Sequence, residues 1–164
     1  WHAVFTASRA EKKVRDRLEE LGVECFLPVQ TVLRQWTYRK SRVVVPVIAG
    51  LVFVRVGRQE QVKVLQTKGV VAFLRLKGEA GAAVIPDKQM EDFRFLLDFS
   101  EEAVEMTNEN IKAGDLVRVM KGSLRGMEGE LIRHKGVTKV LVRIDMLGCA
   151  MVNIPASFVE KLNK

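Results

Sequence analysis

The sequence contains few of the side chains from which catalytic and metal sites are built. Its 164 residues include only two histidines, His2 and His134, and two cysteines, Cys25 and Cys149, each far from its counterpart. Catalysis needs a convergent nucleophile, base and orienting group, and zinc or disulfide frameworks need closely spaced or numerous cysteines. The sequence therefore predicts no enzyme, no metal site and no cofactor. It favours a reducing cytoplasm, in which each cysteine is a small core residue.

The sequence also lacks an apolar run long enough to cross a membrane, which takes about 20 residues. The longest uncharged stretch runs only from Val43 to Val54. No secretory signal precedes it, and the chain opens at Trp1 without an initiator methionine. We expect a cytoplasmic monomer that has no membrane partner.

The uncharged stretch is instead typical of buried strands. Its valines, isoleucine and Phe53 favour a pleated ladder. Pro46 cannot donate to such a ladder and Gly50 weakens it, so we predict a strand to Val45, an apolar bend, and a second strand from Leu51 to Val56. The bend has an apolar floor, which either the protein's own helices or a partner must cover.

The order of the remaining N-terminal patterns indicates an α+β fold. An alternating strand over residues 1–8 is followed by a helix from about Arg9 to Leu21, which we expect Ser8 to cap because Glu11 stands three residues on. After the central strands come a short helix, a strand, and a long helix from Asp87 to about Phe99. The order β-α-β-β-α-β with a trailing helix predicts a ferredoxin-like split βαβ sandwich.

Positive charge is concentrated in two N-terminal segments. The chain carries 27 Lys plus Arg against 20 Asp plus Glu, a net charge of +7, which favours nucleic acid or another polyanion. The first helical turn is unusually basic, and its cations are either a solvated face or a surface that phosphates approach. Residues 34–42 hold four cations, no acid, and Trp36 and Tyr38 between them. That segment either contacts a single strand or is a hairpin tip with cross-strand aromatic packing.

The last third of the chain has a different pattern. Residues 100–110 have weak apolar periodicity and many polar turn formers, which predicts a flexible linker and a domain boundary. Beyond it, short apolar strands alternate with glycine turns. That pattern predicts a small β-barrel, with strands near residues 116–119, 129–135, 138–144 and 149–154.

One glycine pattern in this last third resembles a known motif. The spacing G-D-x-V-x-V-x-x-G-x-x-x-G-x-x-G begins at Gly114 and ends at Gly129, and it resembles the KOW motif. Together with Trp1 in the first strand, Glu11-Lys12 at the helix start and the Gly50-Leu51-Val52-Phe53-Val54 segment, it makes the whole chain similar to the NusG family. Ala49 and Leu51 depart from the usual proline and tyrosine of that segment, so a specialised paralogue similar to RfaH or the UpxY group is expected.

The resemblance implies an architecture and a set of partners. It implies an N-terminal ferredoxin-like NGN α/β sandwich over residues 1–100, a linker over 101–110, and an SH3-like KOW barrel over 111–164. It further implies transcription elongation or antitermination, with the NGN domain bound to the clamp of RNA polymerase. The alternative is a general RNA-binding or ribosome-associated KOW protein.

The same resemblance implies binding roles for three groups of residues. An apolar depression would bind RNA polymerase through Pro46, Ile48, Gly50, Leu51 and Phe53. Non-template DNA would meet a basic set consisting of Arg9, Lys12, Lys13, Arg15, Arg39 and Lys40. A loop of the KOW domain carrying Leu124 and Met127 would hold a ribosomal protein or a termination factor, although a plug at the end of the barrel is an equal interpretation of Leu124.

Overall fold

A computed structural model describes residues 1–162 of the chain, which divides into two units between Pro86 and Asp87. The first unit holds two helices and six strands: β1 (His2–Thr6), α1 (Glu11–Glu20), β2 (Glu24–Phe26), β3 (Val29–Trp36), β4 (Arg39–Pro46), β5 (Leu51–Arg55), α2 (Arg58–Leu65) and β6 (Val70–Phe73). The predicted α+β class is confirmed, since antiparallel sheets and helices occur together.

The main sheet of the first unit has the order β2-β5-β1-β6. Strand β5 is antiparallel to both β1 and β2. Strands β1 and β2 therefore run in the same direction with β5 between them, and α1 connects them, which is the predicted split βαβ arrangement. Strands β3 and β4 form a separate two-stranded hairpin inserted between β2 and β5.

Apolar residues at helical and strand spacing build the core of this unit. Val14 and Leu18 of α1 and Val64 of α2 are fully buried and cluster with Val4 and Val52 of the sheet. The first two lie one helical turn apart, so the same face of α1 presents both to the sheet. On the other face of the sheet, the rings of Phe26 and Phe53 stack with centroids 6.3 Å apart.

The start of α1 differs from its prediction. The helix begins at Glu11, its N-cap is Ala10, and no side chain caps it, so the expected cap from Ser8 is wrong. The physical reason is the backbone at Arg9, whose φ of 59° places it in the left-handed region and outside the helix. The Glu11 carboxylate is used for a tertiary contact instead.

The second unit is a helix followed by a six-stranded antiparallel sheet. Its elements are α3 (Asp87–Phe99), β7 (Glu105–Thr107), β8 (Asp115–Val119), β9 (Glu128–His134), β10 (Val137–Ile144), β11 (Gly148–Asn153), a 3₁₀ turn (Ala156–Phe158) and β12 (Val159–Lys161). The strand order is β12-β8-β9-β10-β11-β7, and α3 packs against β10. An SH3-like barrel in this region stays a prediction.

Part of the segment predicted as a linker is ordered by the sheet. Residues 105–107 form β7, which pairs with β11 through Met106 opposite Ala150. The Glu105 carboxylate accepts a hydrogen bond from Lys139 Nζ at 2.5 Å, and that ion pair lowers the pKa of Glu105. Gly148 makes the pairing possible, because a Cβ there would stand 2.1 Å from the Thr107 carbonyl oxygen. The domain bounds drawn from the sequence stay predictions.

The described residues contain neither a membrane-spanning helix nor a metal-binding cluster. None of the helices in residues 1–162 is long and apolar enough to span a bilayer. Over the same residues, no three His, Cys, Asp or Glu side chains come close enough together to hold a metal ion.

Candidate functional site

The apolar bend between β4 and β5 is held in place by backbone bonds at both ends. Val47 N donates to the Pro28 carbonyl at 2.8 Å, and Thr6 N donates to the Gly50 carbonyl at 2.9 Å. Gly50 has a φ of 72°, a conformation that glycine adopts without strain. These bonds tie the bend to β1 and to the start of the hairpin, so it is a fixed surface of the unit.

A buried carboxylate holds the same bend from below. Glu11 of α1 is only 9 % exposed, and its Oε1 accepts a hydrogen bond from Gly50 N at 2.9 Å. From the sequence alone, Glu11 is only a feature of the helix start. Nothing in the local pattern points to Gly50, because the two residues meet only once β1, α1 and β5 have assembled.

The five residues predicted for polymerase binding separate into two groups. Pro46, Ile48 and Gly50 are partly exposed on the bend. Leu51 and Phe53 lie in β5 and are 2 % and 0 % exposed. The two buried side chains therefore pack beneath the bend, and only the residues of the bend are accessible to a partner.

The basic residues in and just before α1 differ in exposure and in ion pairing. Arg9, Lys12 and Lys13 are exposed, and Lys12 Nζ lies 3.5 Å from the Val44 carbonyl oxygen of β4. Arg15 is half-buried and forms an ion pair with the neighbouring Asp16 at 3.1 Å. The first turn of α1 therefore lies beside the hairpin, and the charge of Arg15 is partly neutralised by Asp16.

The hairpin distributes its residues over two faces. Trp36 stands opposite Arg39, and Gln35 stands opposite Lys40. Because side chains alternate along a strand, Arg39 and Lys40 point to opposite faces. Tyr38 is in the turn, 97 % exposed, so the cross-strand packing of Trp36 on Tyr38 that the sequence left open does not form.

The predicted partner-binding loop of the second unit has buried apolar side chains. Leu124 and Met127 are both buried, and Met127 N donates to the Leu124 carbonyl at 3.0 Å. Contact with a partner and a plug at the end of the barrel both stay predictions for this loop. A cavity of about 230 Å³ opens beside the loop, and its lining combines the apolar side chains of Leu124, Ile154 and Phe158 with the charged side chains of Lys121, Glu101 and Glu102.

A charged network in the second unit was missed by the sequence reasoning. Glu130 accepts hydrogen bonds from Arg143 Nε at 2.6 Å and from Gly114 N at 3.0 Å, while Arg143 Nη2 donates to the Ile111 carbonyl at 2.8 Å. The network fixes the chain that enters β8. Glu130 lies on β9 and Arg143 on β10, and only strand pairing brings these two residues together.

Comparison with known proteins defines the class of the molecule. Residues 1–94 match the family whose model is described as "Transcription termination factor nusG". The match covers more than half of the chain, which places it among transcription factors. The protein belongs to the NusG family, a family of transcription factors and not of enzymes.

Two further comparisons add little to this assignment. Two crystal structures of the MjSpt4:Spt5 complex, in conformations B and A, are similar at 18% and 17% identity. They cover 99% of this chain and 97% and 98% of their own, with TM-scores of 0.31 and 0.26, and at those scores they carry no argument. A search of curated proteins gave no match.

Proposed function

We propose that the protein is a regulator of transcription elongation or antitermination that binds the clamp of RNA polymerase through its first unit. The observation that carries the proposal is the apolar bend at Pro46, Ile48 and Gly50, which is partly exposed and yet fixed by backbone bonds and by Glu11. A surface that is already ordered loses little conformational entropy when a partner covers it.

Nucleic acid would lie alongside the same unit. The exposed cations Arg9, Lys12 and Lys13 stand at the start of α1, and Lys12 reaches the β4 backbone of the basic hairpin. Positive side chains on these adjoining elements form a surface that neutralises phosphates. We propose that exposed non-template DNA follows it, with Arg39 and Lys40 contributing from the hairpin and Arg15 contributing least.

The second unit would recruit a further protein. The cavity beside Leu124 is lined by apolar side chains together with Lys121, Glu101 and Glu102, which suits a segment of a ribosomal protein or of a termination factor that carries both apolar and charged side chains. In this proposal the unit is a KOW domain and the whole molecule is a cytoplasmic monomer and a specialised paralogue of the RfaH or UpxY kind.

Retention of RNA polymerase on the immobilised full chain tests the central part. Ile48→Asp should abolish retention, because it puts a charge into an apolar contact. Val62→Asp is the matched control, since Val62 is an exposed valine on α2, outside the bend. Phe53 is unsuitable for this test, because truncating a fully buried phenylalanine costs about 3–5 kcal/mol of folding free energy.

The alternative function predicts that the immobilised chain retains a different molecule. A general RNA-binding or ribosome-associated protein should retain ribosomal RNA and leave RNA polymerase unbound. Equal retention of polymerase by wild-type protein and by a folded Ile48→Asp variant would remove the bend from the proposal.

A further inference from the structure

We infer that the outer half of the β3–β4 hairpin binds an unpaired nucleic-acid strand by stacking a base on Trp36, with Arg34 and Arg39 on the adjoining phosphates. The inference rests on the proposed function, since it assumes a protein that works beside an opened duplex. It deepens that function by assigning the contact to one face of the hairpin, and by choosing Trp36 from a segment for which the sequence allowed either a single-strand contact or a hairpin tip.

The orientation of the Trp36 ring is fixed before any ligand arrives. Trp36 Nε1 donates a hydrogen bond to Ser41 Oγ at 2.6 Å, and Ser41 belongs to the opposite strand. The ring is nevertheless about half exposed, at 48 %. An aromatic side chain that is held by its polar atom and open to solvent is a platform on which a base can stack without reordering the protein.

The cations around this platform share its face. Arg39 stands directly opposite Trp36, and Arg34 stands opposite Ser41. Residues two apart on a strand project to the same side about 7 Å from each other, so Arg34 and Trp36 are neighbours. Arg42 pairs with Leu33 and therefore projects from the other face, together with Lys40.

The charge of the hairpin calls for an anionic partner. No acidic residue stands between Glu24 and Glu60, so the whole hairpin lies in a stretch without a negative side chain. Within residues 1–162, Arg34, Arg39, Lys40 and Arg42 form no ion pair. Unneutralised cations beside an open aromatic ring match a strand that offers both phosphates and exposed base faces.

A duplex does not fit this surface equally well. Paired bases are stacked on one another, so the faces that Trp36 would contact are occupied, and a duplex would use only the cations. Stacking is also tolerant of sequence, because every base has an aromatic face. The surface therefore selects unpaired nucleic acid more than a particular sequence.

Binding of the full chain to a labelled short oligothymidylate, followed by fluorescence anisotropy, tests the inference. Trp36→Ala should weaken binding about tenfold or more, the effect expected for one lost base–aromatic stack. Trp36→Phe should lose less, because it keeps a ring but not the bond to Ser41. A duplex of the same length should bind more weakly than the single strand and should be insensitive to Trp36→Ala.

A pair of charge variants separates the two faces. Arg34→Gln and Arg42→Gln each remove one cation from the same hairpin, but only Arg34 shares the Trp36 face. Arg34→Gln should weaken binding more and should lower the salt dependence by about one phosphate contact. Equal losses in the two variants, or unchanged binding by Trp36→Ala, would overturn the inference, and so would absence of oligonucleotide binding by the wild-type chain.

The polymerase retention assay distinguishes failure of the Trp36 stacking inference from failure of the proposed function. Trp36→Ala should retain RNA polymerase as the wild type does, because Trp36 lies outside the apolar bend. Polymerase retention with no Trp36-dependent oligonucleotide binding would refute the stacking contact alone. Trp36-dependent binding without polymerase retention would refute the proposed function instead.

Discussion

The Glu11 carboxylate offers a direct test of how the apolar bend is held. It is the acceptor for Gly50 N at 2.9 Å, and the side chain is buried. Replacing Glu11 by alanine leaves the Gly50 N–H without that acceptor. Replacing it by glutamine keeps a carbonyl oxygen at the same reach but removes the charge.

The size of the effect follows from the kind of bond. Hydrogen bonds to charged groups contribute about 1.5–3 kcal/mol, and neutral ones about 1 kcal/mol. Glu11→Ala should therefore destabilise the bend by about 2 kcal/mol, and Glu11→Gln by about half as much. Because 1.4 kcal/mol corresponds to a factor of ten, the Gly50 amide should exchange with solvent about 30-fold faster in the alanine variant.

Native-state hydrogen exchange of the Gly50 amide measures this change at the site itself. The Thr6 amide, which donates to the Gly50 carbonyl, reports whether the bend moves as a unit. Both amides should lose protection in Glu11→Ala, and Glu11→Gln should restore about half of the lost free energy of protection. Unchanged exchange at Gly50 in the alanine variant would refute the reasoning, because the carboxylate would then not be holding the bend.

Two further predictions concern the second unit. Gly148→Ala should destabilise this unit by at least about 2 kcal/mol more than Gly126→Ala. Both glycines have positive φ, but only a Cβ at Gly148 would clash with the Thr107 carbonyl oxygen. None of the described atoms lies within 4 Å of a Cβ placed at Gly126. Urea titration of the two variants decides this, and equal losses would contradict the pairing of β7. The second prediction follows from the pKa of Glu105, which the Lys139 ion pair lowers from its ordinary value of 4.5. A lowered pKa in the folded state adds stability above pH 4.5 that is lost as the pH falls through the lowered value. Glu105→Gln should flatten the acid limb of a pH–stability curve, and an unchanged limb would exclude the ion pair as its source.

Much of the fold could be predicted from local patterns. The apolar spacing of Val14 and Leu18 predicts α1, and Pro46 and Gly50 predict the division of the central apolar stretch. Glycine turns predict the short strands of the last third, and the order of elements predicts the split βαβ sheet. These features depend on residues close together in the chain, which is why the sequence contains them.

Features that depend on distant residues could not be predicted. The contact between Glu11 and Gly50 joins residues on different elements, and so does the pairing of β7 with β11. The β3–β4 hairpin shows most clearly what the sequence could not predict. The sequence contains the alternation of cations and aromatic rings, but only the strand register puts Arg39 beside Trp36 and Lys40 on the other face. Burial of Leu51 and Phe53 likewise follows from their place in a central strand.

Transcription by purified RNA polymerase across a terminator, with and without the full chain, is the direct test of the proposed function. We expect wild-type protein to change elongation or read-through, Val62→Asp to do the same, and Ile48→Asp to have no effect. Identical transcripts with and without the wild-type protein would contradict it, and so would an undiminished effect of a folded Ile48→Asp variant.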